Sequence, residues 1–275
     1  MEVLQDLTVE ELKTLLGEYG EKPFHAAQIF RGLANGKKIS ELTDISKALR
    51  EKLLERFCNE PIEIIGKKTS KADGTEKYLF RLHDGNVIEG VLMKYKYGNT
   101  QCVSTQVGCR MGCKFCASTL GGLIRNLTAG EIAAQIYAVN RLIGGNTDKR
   151  AVTNAVLMGS GEPLDNYDNV IKFLDNISCE KGLNVSQRNI SLSTCGIVPN
   201  MYKLADAGVS VNLTVSLHEP FDEARKDLMP IANKYSVKEI LDACSYYFEK
   251  TGRRYIFEYS LVRGKNDTKE CADEL

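Results

Sequence analysis

Gly108-Cys109-Arg110-Met111-Gly112-Cys113-Lys114-Phe115-Cys116 puts three thiols on one short stretch, directly after Gln101-Cys102-Val103-Ser104-Thr105-Gln106-Val107. The second of these runs is β-rich and reads as the first strand of a series. From there onward, β-rich runs at 101–107, 155–159, 189–193, 209–217 and 255–262 alternate with helical stretches that begin near Thr128, Asn166, Val198 and Val237. Alternation of this kind predicts an α/β fold: a parallel sheet with right-handed crossovers, five β/α units in all, open or closed into a barrel. Sites on such sheets lie at the C-terminal strand ends. The cysteine stretch stands at one.

Outward from this region the pattern changes. Between residues 62 and 97, Lys77-Tyr78-Leu79-Phe80-Arg81-Leu82 and Val87-Ile88-Glu89-Gly90-Val91-Leu92 flank His83-Asp84-Gly85-Asn86, a hairpin signal. Over residues 7–57 apolar residues fall at helical spacing (Leu12, Leu15, Leu16; Ile29, Phe30, Leu33; Leu49, Leu53, Leu54), and Thr8 with Glu11 forms a capping-box pattern. The expected organisation is a helical accessory domain at 1–60, a β-hairpin extension at 61–98 and a partial (β/α) barrel at 99–275.

Composition bounds the function. The chain has 275 residues, enough for a substantial core. It has no uncharged apolar run of membrane-spanning length, and Met1-Glu2-Val3-Leu4-Gln5-Asp6 is not a secretory signal, so a cytoplasmic protein with no membrane partner is expected. Reduced thiols follow, and the odd count of nine cysteines argues against a closed disulfide framework. With 36 basic and 36 acidic residues the net charge is zero, so nucleic acid would have to be bound through local patches.

The spacing C-x3-C-x2-C lets one tight loop reach three corners of a four-iron cluster, leaving one iron open for a small molecule. A zinc site completed by Cys102 or a remote ligand, and ordinary packing cysteines, are the other readings of the same residues. Taken with its position after the first strand, the motif resembles that of the radical SAM superfamily, whose members use S-adenosylmethionine (SAM) to make radicals. The flanking text is more specific: residues 101–109, Phe115-Cys116-Ala117-Ser118, Arg125-Asn126-Leu127-Thr128, and Arg225 with Leu228-Met229-Pro230-Ile231 resemble the 23S ribosomal RNA adenine carbon-2 methyltransferases. The likeness runs over essentially the whole chain. That family also acts on tRNA in some bacteria.

The resemblance implies a 4Fe-4S cluster held by Cys109, Cys113 and Cys116, and SAM contacted by Gly161 and Glu162, by Ser193, and by Ser216, Leu217 and His218. It implies 23S rRNA, and tRNA in some relatives, as substrate, with an electron donor such as flavodoxin or ferredoxin. In the family one SAM methylates a cysteine near the C-terminus and a second supplies the radical that activates that methyl group for addition to adenine. A base then removes the ring proton, and a second cysteine releases the product through a disulfide bond. Glu89 falls at the base position and Cys102 at the resolving-cysteine position. Read without the family, Gly161-Glu162 is a strand-ending turn, His218 a structural histidine, Glu89 a solvated hairpin residue and Cys102 a strand cysteine.

Family members continue past the position of Leu275 with a last strand and the methyl-carrying cysteine, so a fragment or a natural truncation with doubtful transfer activity is expected. Cys271 is not a substitute by motif. Two rival functions remain at this level: methylation of adenine carbon 8, and a non-catalytic zinc-binding RNA-interaction module.

Overall fold

The computed structural model describes residues 1–275. Helices α1 (Val9–Glu18), α2 (His25–Ala34) and α3 (Lys47–Arg56) open the chain. The Thr8 box forms as its sequence predicts: the Thr8 hydroxyl accepts from the Glu11 N–H (3.2 Å), and the Glu11 carboxylate accepts from the Thr8 N–H (2.7 Å). Leu4, Leu12, Leu16, Ile29, Ile39, Leu53 and Phe57 form a small core of their own.

Strands β1 (Ile62–Thr69), β2 (Glu76–Leu82) and β3 (Val87–Tyr95) follow, then β4 (Gly98–Cys102), with β2, β3 and β4 each antiparallel to the strand before it. β5 (Gln106–Gly108) and β6 (Leu123–Asn126) make a separate two-stranded ribbon that brackets the cysteine loop. After these the chain alternates: α4 (Ala129–Leu142), β7 (Val152–Leu157), α5 (Tyr167–Ser178), β8 (Ile190–Thr194), α6 (Val198–Asp206), β9 (Asn212–Ser216), α7 (Asp222–Leu228), α8 (Val237–Thr251), β10 (Tyr255–Glu258) and α9 (Lys269–Glu274). Strands pair in the order β1-β2-β3-β4-β7-β8-β9-β10, and β4 and β7 to β10 are mutually parallel. Sequential order without reversal is that of a partial barrel. The antiparallel strands β1 to β3 extend the same sheet. The main core lies between sheet and helices, with Leu157, Leu192, Leu213, Ile136, Phe173 and Tyr247 fully or almost fully buried, each apolar side chain worth about 1.5–3 kcal/mol.

Three details differ from the sequence reading, each for a local reason. The run 101–107 is not one strand. At Ser104 the backbone leaves the ladder because the Gln135 side chain of α4 accepts its N–H and donates to its C=O, both at 2.9 Å. The last strand ends at Glu258 instead of near 262, where the Ser260 N–H turns to the His218 ring Nδ1 (3.1 Å). Helix α7 was not expected at all; it is short, and its charged residues carry no apolar periodicity.

The N-terminal helices dock on α4 where Gly130 meets the turn before α1. The Asp6 carboxylate accepts the Gly130 N–H at 2.7 Å, and a Cβ on Gly130 would stand 2.7 Å from the Asp6 nitrogen and the Gln5 carbonyl carbon. Gly130→Ala is therefore expected to destabilise the protein by about 1–3 kcal/mol through overpacking. That outweighs the gain of about 1 kcal/mol in helix propensity. Thermal unfolding with limited proteolysis checks it: residues 1–58 should become the first segment cut.

Candidate active site

Each thiol is placed by backbone bonds around it. Gly108 enters the loop at φ +76°, and the Cys109 N–H donates to the Gly122 carbonyl (3.0 Å). The Lys114 N–H donates to the Leu228 carbonyl at the end of α7 (2.9 Å), and the Cys116 N–H to the Cys113 carbonyl (3.0 Å). So held, Cys109, Cys113 and Cys116 line one cavity of about 210 Å³ at the C-terminal ends of β7 to β10, together with Gly161, Glu162, Ser193, Ser216 and Glu258. Burial raises the Cys109 thiol and pushes Cys113 up to about 12.

The glycines beside the cavity are there for close approach. Gly161 has φ +105°, and a Cβ on it would lie 2.5 Å from the Gln106 Cβ. The Glu162 N–H donates to the Gln106 side chain (2.9 Å), pinning this turn to β5. The Glu162 carboxylate is only 4% exposed and accepts two backbone N–H groups, from Leu164 (3.0 Å) and Cys195 (2.8 Å). Burial raises its pKa while those bonds lower it. It thus ties the end of β7 to the end of β8.

Ser193 and Ser216 stand at the ends of β8 and β9, and both hydroxyls point to one Glu258 oxygen, at 3.3 and 3.5 Å. Leu217 and His218 lie just behind the lining. The Leu217 N–H donates to the Glu258 carbonyl (3.1 Å). His218, with φ +60°, packs edge-on against Phe115 of the cysteine loop, and burial pushes its ring down to about 4. It is a neutral ring at ordinary pH.

Glu89 and Cys102 face a second cavity of about 560 Å³, which shares Cys116, Met158 and Gly159 with the first. Gly90 allows this approach, since a Cβ there would be 3.0 Å from the Cys102 carbonyl. The Glu89 side chain pairs with Lys77 at 2.7 Å, and its carbonyl accepts from the Ser104 hydroxyl (2.7 Å), which in turn accepts the Ser160 N–H (2.9 Å). Burial pushes the Cys102 thiol up to about 11. Cys271 is away from both cavities, buried with its sulfur 3.8 Å from the Glu219 carboxylate. Sequence reasoning missed Glu258, which ends the observed β10 but lies inside the strand candidate 255–262, and Cys195 and Met229, which complete the floor of the first cavity.

A three-thiol loop at the mouth of a partial parallel barrel is the site of a radical SAM protein, and residues 103–275 match that superfamily. Residues 3–58 match the ribosomal RNA large subunit methyltransferase N-terminal domain. The chain belongs to the RlmN family within that superfamily. It is 56% identical over 277 residues to a "Probable dual-specificity RNA methyltransferase RlmN" of Clostridium perfringens (strain SM101 / Type A), covering 100% of this chain and 78% of the relative. A protein of the same description from Lachnospira eligens is 52% identical, with 99% and 77% covered. A crystal structure of a radical SAM methyltransferase from Sphaerobacter thermophilus superposes with a TM-score of 0.93 at 40% identity, covering 100% of this chain and 80% of that one.

The cofactors of this enzyme class are a 4Fe-4S cluster and SAM, and the cavity fits them. Cluster thiolates each take a different iron, and Cys109, Cys113 and Cys116 all line this one cavity. No three His, Cys, Asp or Glu side chains are grouped tightly enough to hold a single metal ion. Buried, protonated thiols must release their protons to bind iron, so loading is coupled to proton release.

Proposed function

We propose that this chain is the radical SAM part of an enzyme that methylates carbon 2 of an adenine in 23S rRNA, and of an adenine in tRNA, with the two cavities dividing the work. The observation that carries this reading is their junction at Cys116, Met158 and Gly159. Bound in the first cavity, the cluster and SAM supply a carbon radical. Cys109, Cys113 and Cys116 hold the cluster, and Gly161, Glu162, Ser193, Ser216, Leu217 and His218 form the SAM side. The Gly161 turn gives the methionine part close backbone approach, and the Ser193 and Ser216 hydroxyls offer hydrogen bonds beside Glu258.

In the second cavity Glu89 would take the ring proton of an adenine joined through its new carbon to the carrier cysteine's sulfur, and Cys102 would bond to that sulfur as a disulfide while the sulfur–carbon bond breaks and frees the methylated base. The Lys77 ion pair at 2.7 Å holds the Glu89 carboxylate beside the cavity. The Cys102 thiol stays protonated until a base or a bond to sulfur claims it. Reducing equivalents come one at a time from a low-potential donor of the flavodoxin or ferredoxin kind.

Anaerobically reconstituted protein is expected to be brown, to contain iron and sulfide, and to release 5′-deoxyadenosine from SAM on reduction. Adenosine from treated 23S rRNA and tRNA, separated by liquid chromatography with mass spectrometry against 2-methyl and 8-methyl standards, reads the position of the methyl group. A colourless zinc protein would overturn the reading, and the 8-methyl product would move the chain to its rival.

A further inference from the structure

Arg225 of α7 is the largest fully buried side chain in the protein, and none of its hydrogen bonds goes to a carboxylate. Its Nε donates to the Leu217 carbonyl (3.0 Å), and its Nη2 donates to the carbonyls of Cys195 (2.9 Å) and Ser216 (3.1 Å). The buried Nη1 has no partner. An uncompensated buried cation is costly, and folds retain one only where an anion meets it. The charged or ionisable groups within electrostatic reach are Asp222, Cys195, Cys113 and the ring of His218, which burial keeps neutral. Asp222 is committed elsewhere, accepting the Val237 N–H at the start of α8 (2.7 Å). Cys195 packs directly on Cys113 and Met229 beneath the first cavity. The guanidinium therefore lies one residue layer under a cluster ligand, in a low-dielectric wall, where a charge acts strongly.

We infer that Arg225 is a positioning residue whose buried charge is the built-in counter-ion of the iron–sulfur cluster, making that cluster easier to reduce. The inference rests on the assignment of Cys109, Cys113 and Cys116 as ligands. Three thiolates make the loaded site anionic, and each added electron makes it more so. A fixed cation behind Cys113 favours the reduced state. In the step concerned, one electron leaves an external low-potential donor, which is oxidised, and enters the cluster, with no bond made or broken. The same side chain also clamps the ends of β8 and β9, so a purely structural role is the alternative to be separated.

The experiment compares wild type with Arg225→Met, Arg225→Gln and Arg225→Lys, each reconstituted anaerobically and titrated potentiometrically with the reduced cluster read by electron paramagnetic resonance. Both neutral variants should show at least a tenfold lower ratio of reduced to oxidised cluster at a given potential, a midpoint about 59 mV lower for one electron. Arg225→Lys, which keeps the charge and loses the fork, should stay closer to wild type. Unchanged midpoints in the neutral variants would overturn the inference and leave Arg225 a structural clamp. If the neutral variants load no iron, loading by Arg225→Lys supports the counter-ion role and its failure to load overturns it. Failure of the wild type to assemble a cluster would instead remove the ligand assignment beneath it.

Discussion

Cys116→Ala protein is expected to fold like the wild type and to hold no 4Fe-4S cluster after anaerobic reconstitution. Of the three loop thiols this is the cleanest to remove. Cys113 is buried against Cys195 and Met229, so its loss leaves a hole, whereas Cys116 is only partly buried. The bonds that shape the loop, from Cys109 to Gly122 and from Lys114 to Leu228, are backbone bonds and survive the change. Each ligand holds its own iron, so two thiolates on a loop built for three should not retain the cluster. Iron and sulfide analysis with visible absorption gives the answer, and full iron retention would sink the assignment. Cys102→Ala and Cys271→Ala are the controls. Cys102 faces the second cavity and Cys271 bonds to Glu219, so both proteins should load normally.

What the sequence made legible was whatever is encoded over a few consecutive residues. The thiol spacing, the Thr8 box and the β/α alternation are local patterns, and their physical counterparts form: a loop, a helix start and five parallel strands. The break after Cys102 was not legible because it depends on Gln135, a residue on α4 that offers Ser104 both halves of a peptide-like partner. The same holds for Glu162. The resemblance gives it as a SAM contact, and the fold also gives its carboxylate two backbone donors. In sequence Arg225 is one of several charges in a stretch without apolar periodicity. Only the packing of β8, β9 and the cysteine loop around it shows that it is buried. Glu258 was hidden in the same way, since the strand candidate 255–262 places it mid-strand and only the turn of the Ser260 N–H to His218 makes it a strand end.

The remaining large effect is expected at Gly108, where one methyl group should abolish cluster loading while leaving the barrel intact. Gly108 sits at φ +76°, a conformation that costs an alanine about 1–2 kcal/mol. Its Cβ would also lie 1.9 Å from the Gly122 carbonyl oxygen, a backbone atom that cannot swing aside. That oxygen accepts the Cys109 N–H, so relieving the clash breaks the bond that places the first thiol. The β5–β6 ribbon is outside the eight-stranded sheet, so it should yield locally before the core unfolds. Gly121 is the matched comparison: nothing lies within 4 Å of a Cβ there, and its φ is not in the left-handed region. Gly121→Ala should match the wild type or gain about 0.4–1 kcal/mol from a stiffer unfolded chain. Far-ultraviolet circular dichroism and the thermal midpoint should barely separate the two variants. Iron content and 5′-deoxyadenosine release should separate them by more than about tenfold, because displacement of a reacting centre by about 1 Å is enough to cost that much. Wild-type iron content in Gly108→Ala would show that the loop finds its geometry without the ribbon.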